Sequence, residues 1–114
     1  MIFRKGVNSV VKYEVKPGTT PTHTIDLPFD ASLVKDFRVS YAQVNRELVS
    51  KKKSDCELSG NSVIIRLTQQ ETFRFAYGKV LEVQIRGITT GNDVFESEIV
   101  ELTVGKSLNK EVLS

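Results

Sequence analysis

The sequence predicts an all-β fold, an antiparallel β-sandwich of about seven or eight short strands, and three observations carry that prediction. Apolar and polar side chains alternate with a period of two through most of the chain, as strands with one buried face require. Turn-forming groups recur about every eight to twelve residues, the spacing of a many-stranded antiparallel fold. Helical periodicity is nearly absent. A small β-barrel turns alternate side chains inward in the same way and is the alternative architecture.

In chain order, Val11, Tyr13 and Val15 alternate with Lys12, Glu14 and Lys16 and stop at Pro17-Gly18, a turn pair. His23 to Leu27 alternates again before Pro28, and Asp30-Ala31-Ser32 can cap one helical turn because a short acceptor satisfies free N–H groups. Phe37, Val39 and Tyr41 form a strand of aromatic and β-branched residues. Leu48-Val49 begins a weaker strand that runs into Lys51-Lys52-Lys53, where like charges suit a solvated edge or loop. Cys56-Glu57-Leu58 and Val63 to Leu67 flank Ser59-Gly60-Asn61, a hairpin with Val63, Ile65 and Leu67 inward. Thr68 to Glu71 has capping-box spacing and predicts one helical turn. Leu81, Val83 and Ile85 lie on one face of a strand that turns at Thr90-Gly91-Asn92-Asp93 into a last strand over Phe95 to Val104.

The 114 residues fit one domain. Residues 1–105 are expected to form it, and residues 106–114 to form a C-terminal docking segment, a short helix or an extended arm. Its Leu108, Val112 and Leu113 are apolar residues left over once the core is allotted; on a helix Leu108 and Val112 would share one face. No apolar run suits a membrane span or a secretory leader, so the chain is expected to be soluble and to begin as written. A net charge of +2 is too small for a phosphate-binding footprint.

Chemistry is sparse. One cysteine, Cys56, excludes an internal disulfide, and with one histidine, His23, it cannot make a Cys/His zinc cluster. With no Gly-x-Ser-x-Gly elbow anywhere in the chain, His23 reads as a structural residue. Cys56 lies between Asp55 and Glu57, which disfavour a thiolate. Asn92, Asp93, Glu96 and Glu98 come closest to an oxygen cluster and read as a turn followed by an acidic outer face. Phe73, Phe75 and Tyr77 interleave Arg74 and Ala76, which suits a base-stacking platform or, better in a chain without Trp, a core-facing stripe. The expectation is a protein that is not an enzyme, with no catalytic residues, cofactor, metal or small-molecule substrate.

The stretch Gly18-Thr-Thr-Pro-Thr-His-Thr-Ile-Asp-Leu-Pro-Phe-Asp-Ala-Ser-Leu-Val-Lys35 resembles a signature of short phage and prophage proteins of Firmicutes, usually found among tail and baseplate genes. Tyr41-Ala42-Gln43, Asp55 to Leu58 with Gly60-Asn61, Leu67 to Thr72, Val83 to Arg86, Thr89-Thr90 and Glu111-Val112-Leu113 fall in the same order. Together they cover most of the chain after Lys16. The lead, Met1 to Lys16, is longer than in typical members. In architecture alone the chain is similar to the immunoglobulin-like domains at the N-termini of baseplate upper proteins of lactococcal-type phages, so the sandwich is expected to be immunoglobulin-like. The resemblance implies a virion protein of the tail or baseplate, assembled in the bacterial host cytoplasm. Its partners would be other phage structural proteins, in a homo-oligomer or ring, with no nucleic acid or membrane bound. Ile2, Phe3, Leu108, Val112 and Leu113 are the expected partner-binding residues. The alternative is a non-virion binding module, either a host-factor inhibitor or a carbohydrate-binding domain.

Overall fold

The computed structural model describes residues 2–5 and 13–114. Phe37, Val39 and Tyr41 alternate inward as expected and build β4 (Val34–Gln43). It pairs antiparallel with β8 (Leu81–Thr89), Val39 opposite Ile85 and Tyr41 opposite Val83. On one side of this pair lies β5 (Arg46–Lys52), and on the other lie β9 (Val94–Glu96) and β10 (Val100–Val104). The two residues of β2 (Glu14–Val15) pair in parallel with the end of β10. The second sheet runs β1 (Ile2–Lys5), β3 (Thr22–Asp26), β7 (Ser62–Arg66), β6 (Cys56–Ser59).

The N-terminal strand is thus divided, β1 in one sheet and β2 in the other. With β9 and β10 taken as one interrupted last strand, the order is that of the immunoglobulin-like sandwich with an added strand beside β4. Among the described residues the sheets share no ladder, so the fold is a sandwich and not the barrel. Of the first expected strand, Val11 and Lys12 lie outside the described residues.

Both predicted caps form. The Asp30 carboxylate accepts from the Ser32 N–H at 2.8 Å and starts a 3-10 turn over Ala31–Leu33; that donor holds the Asp30 pKa below the usual carboxylate value. In α1 (Gln69–Thr72) the Thr68 hydroxyl accepts from the Glu71 N–H, and the Glu71 carboxylate accepts from the Thr68 N–H. The fully buried Thr72 hydroxyl accepts from the Gly18 N–H and donates to the Thr19 carbonyl, tying this turn to the 17–18 turn. Gly18 sits at φ +82°, and a Cβ there would lie 2.5 Å from the Phe73 ring, so only glycine fits.

Two features depart from the expectations. The strand expected over Phe95 to Val104 is interrupted: its register against β8 slips by one residue between Glu96 and Val100. This is a β-bulge, and it exchanges the inward set from odd to even positions. Phe95 therefore faces inward over Gly87 and packs edge-on to Phe29, and Leu102 and Val104 face inward too. Ser97 closes the bulge, its N–H donating to the Ile85 carbonyl and its hydroxyl accepting from the Ile85 N–H.

The lysine run is not uniformly solvated. Lys52 faces out, but Lys51 is 7% exposed and bridges Glu71 at 2.7 Å, while Lys53 Nζ donates to the Val34 carbonyl. The Val44-Asn45 turn between β4 and β5 has φ of 52° and 60°, the two positive angles of a type I′ hairpin, with valine where Asn or Gly is usual.

Val39 is fully buried between the sheets and Lys52 points to water. Val39→Asp is expected to unfold the domain, because an unpaired buried carboxylate costs several kcal/mol against a total stability of ~5–15. Lys52→Asp is expected to cost less than ~0.5 kcal/mol. Thermal melts followed by circular dichroism check both; equal melting temperatures contradict the assignment of faces.

Candidate functional site

Alternation on β3 turns His23 and Ile25 inward, and alternation on β4 turns Val39 and Tyr41 to meet them. His23 Nδ1 and the Tyr41 hydroxyl share a 2.7 Å hydrogen bond across the sheets, whose direction follows the imidazole tautomer. Phe3 lies 5.1 Å from the His23 ring and edge-on to Tyr13, and Phe75 stacks on Tyr41 at 5.9 Å. Burial raises the Tyr41 pKa, helped by the negative charge of Glu71, so the phenol stays protonated. His23 and Tyr41 are both fully buried, and no substrate can reach this histidine without opening the sandwich.

The other candidates disperse. Cys56 is half-buried on β6, where burial and the Asp55 charge push its thiol up to about 11. Thr89 and Asp93 exchange hydrogen bonds in the 90–93 turn, Asn92 there has φ 66°, and Glu96 lies 3.6 Å from Arg86. Among the described residues no three His, Cys, Asp or Glu side chains gather to hold a metal ion. The aromatic trio makes no platform: Phe75 is in the core, Phe73 lies against Gly18, and Tyr77 is exposed. Among the described residues no helix is long and apolar enough to cross a membrane.

The expected partner-binding residues divide as well. Phe3 is only 8% exposed, its ring consumed by contacts to His23 and Tyr13, which corrects its expected role at a partner's surface. The Ile2 side chain lies outside the described residues. Leu108, Val112 and Leu113 are 89%, 45% and 67% exposed. The segment carrying them forms neither helix nor strand after Gly105 and bends at Leu108, so the helical stripe is absent. It is anchored at its end, where the Gln69 amide donates to the Leu113 carbonyl at 2.7 Å and accepts from the Leu113 N–H at 2.8 Å.

Sequence reasoning missed Gln43. Its buried amide donates to the Ala76 and Lys79 carbonyls and accepts from the Ala76 N–H, holding the loop after α1 against the β4–β5 turn. That end of the sandwich also exposes Val44, Tyr77 and Val80. The inward parity of Gln43, two residues after Tyr41, was the available signal.

The chain matches no protein-family model, and the search of curated proteins finds no similar one.

Tyr41→Phe removes the hydroxyl shared with His23 and is expected to cost about 1–3 kcal/mol, read from urea denaturation midpoints; an unchanged midpoint contradicts the bond. Cys56 gives a pH test. Its folded pKa exceeds the unfolded value of about 9.0, so the unfolded state releases its proton first. The stabilisation from the protonated thiol is complete below pH ~9 and is lost as pH rises toward ~11. At pH 8 iodoacetamide should alkylate Cys56 roughly a hundredfold more slowly than free cysteine. Comparable rates contradict the burial.

Proposed function

We propose that the protein is a structural or adaptor subunit of a bacteriophage virion, in the tail or baseplate, and that it works by protein–protein assembly without catalysis. The observation that carries the reading is the C-terminal segment, which leaves Leu108, Val112 and Leu113 in solvent. Each would contribute ~1.5–3 kcal/mol on full burial by a partner. The resemblance of the sequence blocks to those of tail and baseplate proteins supplies the setting. The domain supports an adaptor role, because its buried polar groups are engaged in holding the fold: His23 with Tyr41, Lys51 with Glu71, Gln43 with the 76–80 loop. The exposed Val44, Tyr77 and Val80 are a second place where a neighbouring subunit can rest.

Mass spectrometry of purified particles tests the reading. The protein is expected at stoichiometric copy number; its presence in the infected cell and absence from particles would favour a non-virion binding module and overturn the proposal. Among the hydrogen bonds of the described residues, deleting residues 106–114 removes the two exposed ones that tie the segment to Gln69. The truncated protein should lose no more than ~1–2 kcal/mol while failing to enter particles. A truncated protein that precipitates or melts many degrees lower would instead make the segment part of the domain.

A further inference from the structure

The outer face of the six-stranded sheet carries its charges in rows. The pairings of β4 with β5 and β8, and of β8 with β9, set Lys52, Arg38 and Arg86 side by side, with Glu96 closing the row at the rim. Two residues along each strand, the next row is Ser50, Ser40 and Gln84. The row after that is Glu47, Ala42, Glu82 and Glu101. A basic row and an acidic row are thus separated by a row of short or neutral side chains, at about 13 Å for four residues of strand.

The two charged rows are not equally compensated. Arg38 has Asp36 at 2.9 Å and Arg86 has Glu96 at 3.6 Å, while Lys52 has no carboxylate within bridging distance among the described residues. Glu47 accepts a hydrogen bond from the Ser40 hydroxyl, which holds it over the face. Among the described residues no cation bridges Glu47, Glu82 or Glu101, although Glu82 and Glu101 stand directly opposite each other. Like charges so placed are unfavourable within one chain.

This pattern is complementary to itself. We propose that two copies of the chain associate through this face, about a two-fold axis lying in the interface along the Ser50–Ser40–Gln84 row. That axis reverses the strand direction and keeps each strand over its counterpart. Lys52 then meets Glu47 of the second copy, Arg86 meets Glu82, and Arg38 extends over Ala42, whose methyl leaves room between the two carboxylates. Each contact occurs twice, as an isologous interface requires. Glu96 and Glu101 face one another at the rim, where water screens them.

The patch is small, about four strands spaced ~4.8 Å apart by five residues of ~3.3 Å. It falls below the ~800 Å² per partner of a standard interface, so the dimer is weak and sensitive to salt. The inference deepens the assembly reading by naming a surface and an occupant, but it is tested on the purified chain. A protein found in particles yet monomeric in solution would overturn the dimer alone.

Sedimentation equilibrium at about 0.5 mM protein, first in ~20 mM and then in ~500 mM salt, should show a dimer that dissociates as salt rises. Lys52→Glu and Glu47→Lys are exposed changes that each set like charges against one another at both symmetry-related contacts. Each variant should lose roughly tenfold or more in association with an unchanged melting temperature. Mixed in equal amounts, the two restore both contacts with opposite signs and should form a one-to-one heterodimer. A monomeric wild type in low salt, single variants that associate as wild type does, or a mixture no more associated than its components would each overturn the proposal.

Discussion

At the centre of the sandwich His23 from β3 and Tyr41 from β4 share a hydrogen bond, and the two sheets are held in register around it. The domain has neither a disulfide nor a tryptophan to pin its sheets. Its central polar contact is instead flanked by Phe3 and Phe75. A buried imidazole and a buried phenol are each costly to leave without a partner. Any sliding of one sheet over the other would separate them, so this pair selects one relative placement where an all-aliphatic core would tolerate several.

Outward from that centre, side-chain polar groups do the work of missing backbone ladders. Thr72 satisfies the chain around Gly18, Gln43 anchors the loop after α1, and Glu71 serves both the Thr68 cap and the Lys51 ammonium. Lys51 and Glu71 join an edge strand to the helical turn through a largely buried ion pair. Removing one partner of such a pair costs more than the pair itself contributes.

Many of these contacts lie in Gly18 to Lys35, Tyr41 to Gln43 and Leu67 to Thr72, the blocks on which the proposed phage resemblance rests. Those blocks therefore carry fold-holding residues, and fold-holding residues alone leave the biological role to analogy. Strand alternation, both caps and the 59–61 hairpin followed from local rules, since their physics is contained in a few adjacent residues. Lys51 looked solvated because its partner is twenty residues away in sequence, on another element. The bulge at 97–99 was hidden among alternating residues, although Phe95 and Val100 cannot share a face of one regular strand. Phe3 looked available to a partner because an N-terminal aromatic shows no sign, in sequence, of the histidine it will cover. The surface pattern of the outer face was illegible for the same reason, since its rows exist only once β5, β4, β8 and β10 are paired.

Those rows raise a question of energy that the isolated chain does not answer. Cross-strand carboxylates such as Glu82 and Glu101 cost up to ~1 kcal/mol relative to neutral residues. The arginines and lysine on the same face stand about 13 Å away, beyond the distance at which exposed charges interact strongly in physiological salt. Within one molecule the basic row therefore cannot offset the acidic row. Only a surface brought against the face can, and it must carry cations at the spacing of the carboxylates. A copy of the same sheet, turned about its neutral middle row, has that spacing by construction. In the proposed dimer the charge arrangement that weakens the single domain becomes the one that aligns two of them.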